Sequence, residues 1–283
     1  MGDPDRRGRR SDDGRDPHAW RRLTAARRAL PGLVVVGAQR AGTTSLHGHL
    51  ARHPQLVPAI RKEVHYFDDD ARHARGASWY RAHFPFAASL ADAALPRIAF
   101  ESTPAYMFRP EAAPRLAALL PQARLVAVLR DPVERAISNW RLLHEKGANR
   151  FAPFDVEIEH ELASEEGRPG PLGERTPRGL IARGRYAEQL ERLWAHHPRE
   201  RTLVLHSADL YADPQATCDR VFAWLGLPSA PVRAERRLNA SVASADVSDA
   251  LRARLRAYFE PHDRRLWELL GEEWDWDRAA TPR

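Results

Sequence analysis

Two hydrophobic periods alternate along the chain. Leu33, Val34, Val35 and Val36 form an unbroken, mostly β-branched apolar run, the pattern of a strand buried in a parallel sheet. Leu125–Leu129 repeats it, and Arg97–Phe100 and Thr202–Leu205 are shorter versions. Between these runs the apolar residues fall at helical spacing: Leu46 and Leu50; Leu116, Leu119 and Leu120; Tyr186, Leu190, Leu193 and Trp194; Val221, Phe222 and Leu225; Leu251, Leu255, Tyr258 and Phe259. Each set marks one face of a helix. Trp79, Tyr80 and Phe84 make an aromatic stripe that reads as core. Strands alternating with helices predict an α/β fold, a central parallel sheet flanked by helices. Such sheets receive ligands at the carboxyl ends of their strands.

Polar residues set the boundaries. Asp131, Pro132 and Glu134 read as a helix start with cap, first-turn proline and capping box. Asp213-Pro214 starts another helix, closed by Gly226. Arg61–Asp70 mixes charges with Val64, Tyr66 and Phe67, which suits a loop at a strand tip facing a cleft. Residues Gly167–Gly184 are rich in Gly, Pro and Arg and read as a mobile surface segment. The stretch Pro228–Asp246 reads as a loop, and Trp274 and Trp276 as a tail packed on the core. Charged, glycine-bearing residues 1–16 read as a disordered basic tail, and Trp20–Leu30 as a short helical lead-in. With no internal repeat, the expected division is a tail and lead-in over 1–30 and a single domain over 31–283.

The chemistry concentrates after the first strand. Gly37 ends it, Gly42 follows, and Thr43, Thr44 and Ser45 lead into the Leu46/Leu50 helix. Strand, glycine-bearing loop and helix make a phosphate-binding turn of P-loop type, with helix-start N–H groups aimed at an anion. Gly37, Gly42 and Thr44 fit the spacing G-x-x-x-x-G-K-[ST], but Thr43 stands at the lysine position and the cation is Arg40. That departure argues against Mg-ATP, whose γ-phosphoryl group recruits the metal and the lysine. A sulfuryl donor needs less charge compensation. Arg130 falls at the carboxyl end of a strand, and Ser138 about two turns into the helix that follows.

Composition narrows the class. The 283 residues carry a net charge of +6 and 43% hydrophobic residues, enough for a core and favourable to an anionic ligand. Apart from the N-terminal cluster the basic residues are dispersed, and no nucleic-acid motif appears. Cys218 is the sole cysteine, so no intrachain disulfide forms; on a helical pattern with Val221 and Phe222 it reads as a buried structural thiol. No apolar run reaches the length of a membrane span. The N-terminal arginines precede no apolar leader segment, so a cytoplasmic setting is expected. Arginine far outnumbers lysine, the bias of a GC-rich, bacterial genome.

The ordered set VVVGAQRAGTTSL, HPQL, KEVHYFD, SWYRAHFPF, ESTPAY and RLVAVLRDPVERAISNW resembles the sulfotransferases that use 3′-phosphoadenosine 5′-phosphosulfate. Within them it resembles the heparan-sulfate-type branch and its bacterial relatives. The match runs from Leu33 to about Trp140 and continues more loosely through GRYAEQLERLW and DLYADP. The resemblance implies that Gly37, Arg40, Ala41, Gly42, Thr43, Thr44 and Ser45 hold the donor's 5′-phosphosulfate, and that Arg130 and Ser138 hold its 3′-phosphate. It implies that Glu63 is the base that deprotonates an acceptor hydroxyl, with His65 as rival or orienting partner and Lys62 near the sulfuryl oxygens. Arg40 would offset charge on the bridging oxygen, and no metal is required.

Two departures matter. The animal glycan enzymes carry a lysine in the motif that here reads ESTPAY, where this chain has Ser102. They also carry a C-terminal disulfide loop that Cys218 alone cannot form; Arg236, Arg237 and Asn239 are the candidates to replace its donor contacts. The expected function is sulfuryl transfer to a hydroxyl of a small metabolite, lipid or glycan. A P-loop kinase and a non-catalytic nucleotide-binding module are the alternatives. The acceptor pocket is expected between Glu63–Asp70, the Gly167–Gly184 segment and the Pro228–Asp246 loop.

Overall fold

The apolar run at Leu33 occupies the middle of the sheet, where neither edge nor face meets water. In the computed structural model, β1 (Leu33–Gly37) is buried throughout. It lies between β3 (Ile98–Ser102) and β4 (Arg124–Leu129), pairing Leu33 with Phe100 on one side and with Arg124 on the other. β2 (Leu56–Pro58) and β5 (Thr202–His206) complete a five-stranded parallel sheet in the order β2-β3-β1-β4-β5. The structure describes residues 19–91, 95–146, 152–173, 179–232 and 247–276. The tail of residues 1–16 and the trio Arg236, Arg237 and Asn239 lie outside them.

The helices are α1 (Ala19–Leu23), α2 (Thr43–Leu50), α3 (Asp70–His73), α4 (Gly76–Arg81), α5 (Ala87–Ala91), α6 (Ala112–Leu119), α7 (Pro132–Lys146), α8 (Phe154–Glu165), α9 (Tyr186–Trp194), α10 (Ser207–Ala212), α11 (Pro214–Leu225) and α12 (Asp249–Leu270). Two expected caps are present, although Glu134 pairs with Arg252 and Arg130 where a capping box was expected. Asp131 Oδ1 accepts from the N–H groups of Val133 and Glu134, and Asp213 Oδ1 from that of Ala216. Gly226, at φ 74°, closes α11. Trp79, Tyr80 and Phe84 are core, as their spacing predicts. Cys218 is buried, and burial lifts its thiol to about 12, so it carries no nucleophile. Trp274 and Trp276 pack on the main core against His206.

Three elements depart from the pattern. β2 is only three residues long and ends in proline, too short for an alternation to register. α8 buries Glu157, His160 and Glu161 beside Phe154 and Ile158, so polar residues obscure its inward face. The third is a correction: the Gly167–Gly184 segment is not all mobile surface. Leu180 and Ile181 are fully buried in a second apolar cluster with Val133, Ile137, Ile158 and Phe259. The Glu161 carboxylate accepts from both of their N–H groups, at 2.8 and 2.9 Å. A buried backbone needs such partners, and here a side chain distant in sequence supplies them.

Candidate functional site

Three strand ends converge on one rim. Beyond β1 the chain passes through Ala38 to Gly42 into α2. Gly42 takes a φ of 99° and stands at the N-cap, with no side chain capping the helix. The first backbone bond into it runs from Leu46 N–H to Gly42 O, at 3.0 Å. The N–H groups of Thr43, Thr44 and Ser45 are the helix-start donors available to an anion. Glycine is required at position 42 twice over: a Cβ there would stand 3.0 Å from Tyr211 Oη, and the left-handed backbone disfavours other residues. Gly37 is equally constrained, since a Cβ would lie 2.7 Å from Met107 Cβ. Ala41 and Thr43 are buried under the loop and Thr44 is exposed.

Arg40, at φ 71°, turns toward β4 and α7. Its Nε donates to Ser138 Oγ at 3.0 Å, and its carbonyl accepts from Arg130 Nη1 at 3.3 Å. Arg130 is steadied in turn: its carbonyl accepts from Tyr186 Oη at 2.7 Å, and its Nη2 lies 3.8 Å from Glu134 Oε2. Burial, then the nearby Arg130, lowers the Arg40 guanidinium from its usual range. Two cations held together in a half-buried site are a reservoir of positive potential for an anion.

On the opposite flank lies the Arg61–Asp70 segment. Glu63 N–H donates to Ser102 O at 3.0 Å, fixing the segment to the end of β3. Tyr66 N–H donates to Tyr106 Oη at 3.0 Å, and Arg72 to Val64 O at 2.9 Å. Below it, the fully buried Glu101 accepts from Tyr80, Thr103 and Tyr106. Burial outweighs those hydrogen bonds and raises its carboxyl to about 7.

The structure brings Glu63 and His65 together, but not as an extended pair. Both take left-handed backbone, φ 61° and 56°, a conformation non-glycine residues adopt rarely and often at functional sites. Their side chains meet with Glu63 Oε2 3.5 Å from His65 Nε2. Lys62 Nζ lies 2.5 Å from Glu63 Oε1, and His65 Nδ1 lies 2.8 Å from Asp68 Oδ2. The His65 hydrogen bond, helped by Lys62, holds Glu63 near 2 despite burial. Burial alone would lower His65, yet Asp68 and Glu63 lift it to about 9. At neutral pH Glu63 is a carboxylate and His65 an imidazolium, held between Lys62 and Asp68.

Asp68 was not singled out in the sequence, although it closes the KEVHYFD motif. His47 was also missed. It lies on α2 and its Nδ1 is 2.8 Å from Ser102 Oγ. Burial and Lys62 drop it to about 4, so it stays neutral beside the charged row. The signal was its place one helical turn beyond Thr43, on the side of α2 facing β3; its type alone carried none. Arg183 connects the 179–184 stretch to this flank. Its guanidinium stacks 4.1 Å from the Phe108 ring centroid and senses Asp68. Of the three expected pocket walls, Arg61–Asp70 and residues 179–184 therefore approach each other. Residues 233–246 lie outside the described structure.

Comparison with known proteins agrees with this geometry. A family model described as "Sulfotransferase family" matches residues 31–231. Heparan sulfate glucosamine 3-O-sulfotransferase 6 of Mus musculus is 27% identical over 293 residues, covering 92% of this chain and 80% of that protein. Bifunctional heparan sulfate N-deacetylase/N-sulfotransferase 3 of Homo sapiens is 29% identical over 221 residues, covering 76% of this chain and 24% of that protein. The chain spans about a quarter of the length of several curated relatives that it matches. Among solved structures, a sulfotransferase from Alicyclobacillus acidocaldarius superposes with a TM-score of 0.67 at 24% identity, over 88% of this chain and 100% of that one. That likeness is one of fold.

Proposed function

The chain belongs to the sulfotransferase family, and from that premise we propose that it moves a sulfuryl group from 3′-phosphoadenosine 5′-phosphosulfate to an acceptor hydroxyl. The observation that carries the donor half is the Arg40–Ser138 hydrogen bond, with Arg130 donating to the Arg40 carbonyl. It gathers loop, strand end and helix into one cationic corner beside the α2 N-terminus. In this reading the loop N–H groups and Arg40 take the 5′-phosphosulfate, while Arg130 and Ser138 take the 3′-phosphate. Arginine suits phosphate through its planar fork of donors.

The acceptor oxygen attacks sulfur in line. Its proton passes to Glu63, the new O–S bond forms, and the bond from sulfur to the bridging oxygen breaks. The electron pair stays on the departing bisphosphate, where Arg40 and the loop amides offset the charge. Glu63, held low first by His65 and then by Lys62, is a weak base. Transfer of Lys62 to the sulfuryl oxygens removes one of these partners and raises its basicity. His65 is already protonated, so its role is to hold Glu63 rather than replace it. The acceptor lies between Glu63–Asp70 and residues 179–184, and a hydroxylated metabolite, lipid or glycan fits that chemistry.

Calorimetry tests the reading against its rivals. Adenosine 3′,5′-bisphosphate should bind without metal, and Mg-ATP should bind far more weakly. Turnover of the phosphosulfate donor should persist in excess chelator. Preference for Mg-ATP would return the chain to the kinase reading, and donor binding with no turnover against a broad panel of hydroxylated acceptors would make it a binding module.

A further inference from the structure

Carboxylates are missing from long parts of this chain. No Asp or Glu occurs from Pro17 to Lys62, and none from Ala71 to Ala91, while those stretches hold ten arginines. The fold draws parts of them to one side. α1 packs on α4, with Arg21 donating to Ala82 O at 2.6 Å and to Phe84 O at 2.8 Å. Arg28 donates to Phe84 O at 2.9 Å, and Ile60 N–H to His83 O at 2.9 Å. Residues 82–86 thus tie α1 to the end of the β2 edge.

The exposed apolar residues gather around the same hub. Among the described residues the exposed large hydrophobics are Trp20 (52%), Leu23 (88%), Ile60 (51%), Phe86 (36%) and Leu95 (57%). Leu95 follows α5, which begins directly after Phe86. Trp20 and Leu23 stand three residues apart on α1, hence on one face. Arg28, only 2% exposed, lies 5.0 Å from the Trp20 ring centroid and 4.3 Å from that of Phe86, binding both rings into one patch. Single exposed apolar residues are ordinary, but their collection beside the arginines of α1, residues 25–28 and α4, segments that carry no Asp or Glu, calls for a partner.

We propose that this side docks the protein on an anionic lipid surface. The chemistry asks for two things at once: an apolar phase for Trp20, Leu23, Ile60 and Phe86, and negative charge for the surrounding arginines. A bilayer rich in acidic headgroups supplies both at the depth where an aromatic ring and an arginine normally sit. A soluble polyanion has no use for the exposed Leu23. An apolar protein groove has no use for the lack of carboxylates. The inference stands apart from the reaction, since Trp20, Leu23, Arg27 and Phe86 are assigned to neither donor nor acceptor.

The test uses the full chain and sedimentation with vesicles of phosphatidylcholine, with and without phosphatidylserine. Binding is expected only with phosphatidylserine, and it should weaken as salt rises. Trp20→Ser combined with Leu23→Ser should lower the bound fraction about fivefold or more, and Arg27→Glu should also lower it. Leu23 and Arg27 are exposed, so unchanged thermal melts of Leu23→Ser and Arg27→Glu exclude unfolding as the cause. Absence of binding overturns the proposal. Equal binding to phosphatidylcholine alone would assign the face to an apolar partner. Wild-type binding by the Trp20/Leu23 double variant would assign the arginines to a soluble polyanion.

Discussion

Arg40 Nε and Ser138 Oγ stand 3.0 Å apart although 98 positions separate them in the chain. The bond joins the cation inside the β1–α2 loop to the second turn of α7. The groups proposed for the two ends of one nucleotide are therefore pre-set against each other. In the proposed reading, binding the donor would exchange this bond for phosphate contacts rather than assemble a site from loose side chains.

Arg130→Ala should weaken adenosine 3′,5′-bisphosphate binding by about 1.5–3 kcal/mol, the range for charge-assisted hydrogen bonds. Binding of adenosine 5′-phosphate, which lacks the 3′ group, should change little. Ser138→Ala should also cost about 1.5–3 kcal/mol, since its hydroxyl would donate to the same charged phosphate. Calorimetry with both nucleotides reads this, and equal losses for the two would sink the assignment of Arg130.

Glu63→Gln keeps shape and removes the basic oxygen. Turnover should fall about 10²–10⁴-fold, the usual worth of a general base, with bisphosphate affinity near wild type. His65→Ala should fall less, because it loosens Glu63 without removing it. A dead His65→Ala enzyme with intact donor binding, beside an active Glu63→Gln, would reverse the two roles.

Gly37→Ala places a methyl group 2.6 Å from Met107 Sδ and 2.7 Å from Met107 Cβ. Met107 cannot retreat freely, since its N–H donates to Val36 O at 2.9 Å. Overpacking of this kind costs about 1–3 kcal/mol. Urea denaturation should show that loss, and bisphosphate binding should weaken with it. A wild-type midpoint would mean that the loop accommodates the methyl group.

Glu63, Glu101 and His65 each make stability depend on pH. Glu63 is depressed to about 2, so its contribution is complete above the unfolded carboxylate range and fades as pH falls toward 2. Glu101 is raised to about 7. The native state holds its proton after the unfolded chain has lost it, so stability falls as pH rises from about 4.5 toward 7. His65 is raised to about 9; its contribution is complete below about 6.5 and is lost as pH rises through 9. His47, lowered to about 4, acts in the opposite sense to Glu101, its cost fading as pH rises from about 4 toward 6.5, so the Glu101 part is read by substitution and not from the whole curve. Glu101→Gln should make the slope between about pH 4.5 and 7 more positive; an unchanged slope would show that Glu101 does not titrate there.

The sequence by itself determined the strands with continuous apolar runs, the capped helices and the phosphate-binding turn. Each is a local matter: Leu33–Val36 can only be buried, Asp131 caps the helix that begins beside it, and Gly42 permits the left-handed turn into α2. The candidate-site residues Glu63, His65, Arg130 and Ser138 were named through the family resemblance that their motifs carry, and spacing alone assigned them no role. Tertiary structure decided what those motifs become together. β2 is a strand only because β3 pairs with it, and residues 179–184 are core only because Glu161 of α8 accepts their N–H groups. Glu63 and His65 meet through left-handed backbone that no periodicity encodes, and their contacts with each other, with Lys62 and with Asp68 set their charges. Local physics chose the elements and the reactive groups; burial and long-range pairing chose their protonation and their neighbours.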